Sequence, residues 1–247
     1  MRVFHCDVCA QTLYFENSDC IKCGHKLAYL PELGAMTALE PASDGRWKVL
    51  CATWQGDEVR LCDNYVGPGV CNWALPDTDT ESLCQSCRLT RVLPDLDVPG
   101  HPEAWAKLET AKRRLVFTLL DLGLPLDGLE YRFMADQAHE PGSILTGHDN
   151  GIITINIAEA DDLERERRRL ALHEPYRTLL GHLRHEVGHY YWDRLIRDAG
   201  HVAVFRECFG DERLDYAAAL QRHYEQGPPV GLQDEHVSAY ASTHPWE

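Results

Sequence analysis

The sequence predicts an α+β chain: small cysteine-bearing knuckles, then a larger domain with a small mixed sheet and a mainly helical remainder. Three observations carry this. Nine of the ten cysteines fall within the first 87 residues, with only Cys208 beyond. Pro94-Asp95-Leu96-Asp97-Val98-Pro99-Gly100 then concentrates two prolines and a glycine, which block both helix and ladder. Further on, the β-branched run Ile152-Ile153-Thr154-Ile155-Asn156-Ile157 leads directly into helical periodicity. The expected organisation is therefore a knuckle region over 1–93, in two parts (1–30 and 45–93), a linker over 94–100, and a second domain over 101–247.

Within the second domain, residues 102–122 space Trp105, Leu108, Leu115, Val116, Leu119 and Leu120 as one helical face, with Pro102 and Glu103 in the first turn and Gly123 as the stop. Glu130–Met134 and Ser143–Leu145 read as strands. Asp149-Asn150-Gly151 reads as a turn into the β-branched run. Helices are expected over 160–173 and 176–198, parted by Pro175, and the Arg165–Arg169 run is read as a solvated helix face.

Composition narrows the function. A chain of 247 residues with 44% hydrophobic content can bury a substantial core. The formal charge is -15, and residues 1–100 hold 8 Lys/Arg against 14 Asp/Glu, which disfavours nucleic acid and anionic membranes as partners. No apolar run near Met1 resembles a secretory signal, and none approaches the roughly 18 apolar residues of a membrane span. A cytoplasmic location is expected, and with it thiols that bind metal rather than form disulfides.

The segment most telling of chemistry is His182-Leu183-Arg184-His185-Glu186-Val187-Gly188-His189-Tyr190-Tyr191-Trp192-Asp193. Residues four apart on a helix share a face, so His185 and His189 can offer two imidazole nitrogens to one zinc ion, with Glu186 beside its open position as general base. His182 is read as a partly buried polar residue, not a ligand.

Among the cysteines, Cys6-x-x-Cys9 and Cys20-x-x-Cys23 form paired knuckles, each aiming two thiolates at one ion, and four thiolates close a structural zinc tetrahedron. Cys84-x-x-Cys87 supplies half of a second site, for which Cys62, Cys71 and Cys51 are all candidates. Cysteines left over are expected to be buried thiols.

The HExxH segment resembles the zincin superfamily, in particular its gluzincin branch. Together with Gly69-Val70-Cys71-Asn72-Trp73 and Glu174-Pro175-Tyr176-Arg177-Thr178-Leu179-Leu180-Gly181, it makes the chain similar to bacterial zinc-binding metallopeptidases with an N-terminal zinc ribbon. The resemblance implies a zincin-like fold, with Gly151–Ile157 as the candidate edge strand holding an extended substrate, while its apolar run fits a buried central strand equally well. It also implies one catalytic and two structural zinc ions, the second structural ion on Cys62, Cys71, Cys84 and Cys87. Gluzincins take a third ligand from a Glu on a later helix, and His244-Pro245-Trp246-Glu247 resembles the start of one, so Glu247 is the implied ligand and the chain is expected to be cut short within that helix.

Asp211, Glu212 and Asp215 are competing acids, and Asp193 is expected to support the site from behind rather than ligate. Tyr190, Tyr216, Tyr224 and Tyr240 are candidates for stabilising an oxyanion. The implied activity is hydrolysis of peptide or isopeptide bonds in a peptide or protein substrate. The alternative is an inert protein-interaction module.

Overall fold

A computed structural model describes residues 2–136, 144–171, 178–227 and 229–247. The chain forms two compact units, Met1–Met134 and Ala135–Glu247.

The first unit opens with a hairpin of β1 (Phe4–His5) and β2 (Thr12–Leu13). An antiparallel meander follows: β3 (Lys26–Leu30), β4 (Ala35–Pro41), β5 (Trp47–Val49), β6 (Val59–Leu61) and, after the one-turn helix α1 (Asp63–Val66), β7 (Ala74–Pro76). The sheet curls until its ends meet, where Tyr29 N–H donates to the Asn72 carbonyl at 2.9 Å and Tyr29 bridges Trp73. The sheet buries Leu27, Leu30, Leu39, Val59 and the adjoining Trp73 completely or nearly so. The two knuckle segments expected over 1–30 and 45–93 are joined by one sheet that runs through and between them. Its strands are three to seven residues long, too short for alternation to stand out in sequence.

β8 (Thr90–Val92), helix α2 (His101–Asp121) and β9 (Glu130–Met134) complete this unit, with β8 and β9 parallel. Gly100, at φ 90°, turns the chain into α2, Pro102 occupies its first turn, and Gly123, at φ 67°, lies just past its end. Val116, Phe117 and Leu120 of α2 pack on the meander core, with Phe117 at 4.9 Å from Phe15 and 5.4 Å from Tyr29. Lys112 and Glu109 are fully buried as an ion pair at 2.9 Å, with Lys112 lying over the Tyr131 and Phe133 rings of β9. The first compact unit thus runs on through the expected linker over 94–100 to Met134, carrying α2 and β9 with it. Periodicity reveals that α2 has an apolar face but not which surface that face meets.

In the second unit, β10 (Gly147–Asp149) and β11 (Ile152–Asn156) form a hairpin whose turn residues Asn150 and Gly151 both have positive φ (48° and 88°), as a primed turn requires. The strand expected over 143–145 begins instead at Gly147, and residue 143 lies outside the described residues. Helices α3 (Asp162–Ala171) and α4 (Leu179–Trp192) follow, and Pro175, expected to part them, also lies outside the described residues. α4 runs on as a π-helical turn over Asp193–Arg197, then come α5 (Val202–Phe209), α6 (Tyr216–Gln226) and the short α7 (Leu232–Glu235). β10 packs directly on α4. Among the described residues no helix is long and apolar enough to cross a membrane.

Phe117→Ala removes the ring through which α2 meets the meander, at a cost of about 2 kcal/mol for a half-buried aromatic. In urea titrations of the zinc-loaded chain, release of cysteine-bound zinc should shift to lower urea. An unshifted midpoint would mean that α2 does not hold this unit together.

Candidate metal centre

Helix α4 starts cleanly because the Thr178 side chain caps it, accepting from Gly181 N–H at 3.0 Å. Leu183, Val187 and Tyr190 bury one side, leaving His185 and His189 half-exposed on another. Their Nε2 atoms stand 3.1 Å apart, and Glu247 Oε2 lies 3.1 Å from His185 Nε2. All three donor atoms fall within 4.8 Å of one another.

A tetrahedral zinc with ligands at about 2.0–2.1 Å spaces them about 3.3 Å apart, so these separations match the edges of one coordination shell. Glu247 Oε2 is buried without a hydrogen-bond partner, an arrangement that a cation relieves. Burial, reinforced by the nearby His185 charge, lowers the His189 pKa to about 4, so its imidazole is neutral at pH 7 with a lone pair to donate.

The competing acids have other partners. Asp193 accepts from Arg197 at 2.6 Å, one turn along, and so supports the helix rather than a ligand imidazole. Asp211 pairs with Arg213 at 2.7 Å, Glu212 is taken by Arg206, and Asp215 caps α6 by accepting from Ala218 N–H at 3.0 Å. Two neighbours fix the final segment. His244, buried, donates from Nε2 to the Leu214 carbonyl and accepts at Nδ1 from Trp246 N–H, both at 3.0 Å. The Trp246 ring stacks on His189 with centroids 4.9 Å apart and planes 13° from parallel.

These groups line a cleft of about 570 Å3, into which Glu186 also faces. Three of the four candidate tyrosines line it, Tyr216, Tyr224 and Tyr240. Tyr190 is engaged by Arg194 at 2.5 Å. The strand segment in the wall is Thr146-Gly147-His148, at the start of β10, whereas β11 keeps Ile153, Ile155 and Asn156 buried. Of the two placements open to Gly151–Ile157, the structure gives the buried strand, as a β-branched run favours, and the cleft wall is taken by β10.

Sequence reading set His182 aside, and the structure gives it two carboxylates. Its Nδ1 lies 2.5 Å from Glu159 Oε2 and its Nε2 3.1 Å from Glu186 Oε1. Burial alone would lower the His182 pKa, but the hydrogen bonds and charges of Glu159 and Glu186 prevail and raise it to about 9. Burial likewise opposes ionisation of Glu186, yet its bond to His182 and the surrounding histidines hold its pKa below the ordinary value. The available signal was spacing, since His182 and Glu186 are four apart. Glu159 had no local signal at all.

The cysteines form two further clusters. Cys6, Cys9, Cys20 and Cys23 converge, with Cys6–Cys23 and Cys9–Cys20 sulfur separations of 3.6 Å. Ala10, at φ 58°, and Gly24, at φ 75°, close the two knuckles by donating to the carbonyls of Cys6 and Cys20. Cys62, Cys71, Cys84 and Cys87 converge in full burial, with Cys71–Cys84 at 3.7 Å and backbone N–H groups of Trp73, Cys84 and Cys87 directed at the sulfurs. Sulfurs at about 2.3 Å from a tetrahedral zinc are about 3.8 Å apart, whereas a disulfide needs about 2.05 Å. Both clusters fit zinc. The two remaining cysteines are not the buried thiols expected: Cys208 is exposed on α5, which buries only Phe205, and Cys51 is half-buried beside Thr53.

A chain with two four-cysteine clusters and a His–His–carboxylate centre is a zinc-binding protein in its architecture. Residues 101–247 match the family described as "Putative zinc-binding metallo-peptidase", and residues 3–98 match a zinc-ribbon domain. The chain belongs to that metallopeptidase family. It is also 44% identical, over 254 aligned positions, to proteins of Mycobacterium tuberculosis (strains H37Rv and CDC 1551) and Mycobacterium bovis, each named as an uncharacterized protein; the alignment covers 99% of this chain and 69% of each relative. No solved structure matches the chain. The segment Glu174–Arg177, part of the family resemblance, lies outside the described residues.

In the zinc-loaded protein, iodoacetamide should label Cys208 first and Cys51 more slowly, sparing the eight clustered thiols until a strong chelator is added. Rapid labelling of Cys62 or Cys84 before chelation, read by peptide mass spectrometry, would argue against the second cluster.

Proposed function

We propose that the chain is a zinc-dependent peptidase of zincin-like, gluzincin-type architecture that hydrolyses peptide or isopeptide bonds, with Glu186 as general base. The observation supporting this best is the meeting of His185, His189 and Glu247 in a cleft that also holds Glu186. Two imidazoles and one carboxylate leave a fourth position open, whereas the cysteine clusters fill all four and are structural. When bound at the three-ligand centre, zinc supplies Lewis acidity toward a carbonyl oxygen and acidifies water.

Glu186, kept ionised at neutral pH by its histidine neighbours, accepts the proton of the attacking water and delivers it to the leaving amine. Tyr216, Tyr224 and Tyr240 supply hydroxyls to the cleft wall, and the Tyr216 and Tyr240 hydroxyls lie 3.1 Å apart. One of them is suited to donate to a developing oxyanion. The backbone of β10 offers main-chain groups to an extended peptide or protein substrate. The acidic charge speaks against a nucleic-acid or anionic-membrane partner, and the thiol clusters suit a cytoplasmic protein.

Elemental analysis should find close to three zinc ions per chain. Glu186→Gln should retain all three while lowering hydrolysis of fluorogenic casein and a mixed quenched-peptide library by at least about a hundredfold. Glu247→Ala should hold only the two cysteine-bound ions. A wild-type chain with three zinc ions and no turnover of either substrate would overturn the peptidase reading in favour of an interaction module.

A further inference from the structure

Glu159, at the end of the β10–β11 hairpin, and His182, one turn before Glu186 on α4, take no direct part in the chemistry above. Glu159 is 1% exposed and is fixed through Oε1, which accepts from Thr146 Oγ1 at 2.6 Å. Thr146 is itself held, its Oγ1 accepting from Asn156 N–H at 3.1 Å. The other Glu159 oxygen lies 2.5 Å from His182 Nδ1, and His182 Nε2 reaches Glu186 Oε1 at 3.1 Å. An imidazole that meets a carboxylate at each nitrogen donates from both, and its ring plane fixes the line between the two acceptors.

We propose that His182 is a positioning residue, which borrows the rigidity of the buried Glu159 to hold the Glu186 carboxylate in one rotamer facing the cleft. This rests on the reading of Glu186 as general base. Glutamate has three side-chain torsions, and a base acting on water within hydrogen-bond reach needs its oxygen fixed to a fraction of an ångström. Glu186 spends one oxygen on His182 and leaves the other for water.

Two substitutions separate positioning from mere anchoring of α4. His182→Gln places an amide N–H near the Nε2 position, so it keeps the bond to Glu186 and gives up Glu159. His182→Asn places one near Nδ1 and does the reverse. Positioning predicts that H182N lowers kcat about a hundredfold at unchanged KM and unchanged zinc content, while H182Q, which keeps the bond to Glu186 without the Glu159 brace, falls between H182N and the wild type. Equal kcat in the two variants, or H182N the more active, would overturn it.

A readout independent of turnover is the imidazole 15N spectrum of the zinc-loaded chain. Glu186→Gln should shift the His182 Nε2 resonance and Glu159→Gln the Nδ1 resonance, and an unmoved nitrogen in either variant would overturn the bridge. If the wild type fails to hydrolyse casein while both resonances respond, the peptidase reading falls and the bridge stands. If Glu186→Gln abolishes turnover while both His182 variants keep wild-type kcat, the positioning role falls and the peptidase reading stands.

Discussion

A carboxylate at residue 247 has to meet an imidazole at residue 185, and the second unit from Asp193 onward is arranged to satisfy that closure. One helix supplies two ligands by its own geometry, because residues four apart share a face. The third must come from elsewhere, and the intervening chain has to turn back over the same helix. It leaves α4 through the π-helical turn at Asp193–Arg197 and reverses through α5 and α6. The return is secured at His244, whose two ring nitrogens bind Leu214 and Trp246, and by Trp246, which lies between His189 and Trp192. The stacking also fixes the plane of the His189 ring. Without the turn-back, Glu247 Oε2 would not lie buried and partnerless beside His185.

The first unit solves a different problem with related chemistry. Its sheet strands are short, and the cysteine clusters sit inside the same apolar core as Leu27, Tyr29 and Trp73. Four buried sulfurs 3.6–3.7 Å apart are poor company for one another as thiols and good ligands as thiolates, so metal affinity and folding stability become one quantity here. Asp7, within the first knuckle, ties the cluster to the sheet by accepting from Ala38 N–H at 2.8 Å and Thr37 Oγ1 at 3.0 Å. Closed sites with four protein ligands hold a fold, and an open site with three leaves a position for chemistry.

What the sequence made legible follows from how local each signal is. The HExxH pair and the three CxxC knuckles are each encoded within five residues, and the Asn150-Gly151 turn within two; each marks a feature found in the structure. Glu247 was reachable only by resemblance, since nothing in its own neighbourhood separates it from Asp211 or Glu212. What separates them is arginine, with Arg206 and Arg213 claiming those acids through contacts that composition does not reveal. The meander was illegible because its strands are brief. The side to which α2 belongs was illegible because an apolar stripe carries no address. Glu159 and His182 belong together only after a hairpin and two helices have been folded.

With Glu186 as the proposed general base, the unequal spacing around His182 bears on how a buried base stays useful. A carboxylate sealed from water is driven to take up a proton, and a strong cationic partner prevents this but also weakens the carboxylate as a base. In this cleft the imidazole is shared: 2.5 Å from Glu159, which is fully enclosed and has no reaction to perform, and 3.1 Å from Glu186. The tighter bond goes to the carboxylate whose only task is to stay put. Glu186 receives the looser one, enough to set its direction and favour its ionised form. A buried histidine without Glu159 would be driven to lose its charge, and with it much of its hold on the Glu186 carboxylate. Glu159 keeps the imidazole protonated and donating from both nitrogens.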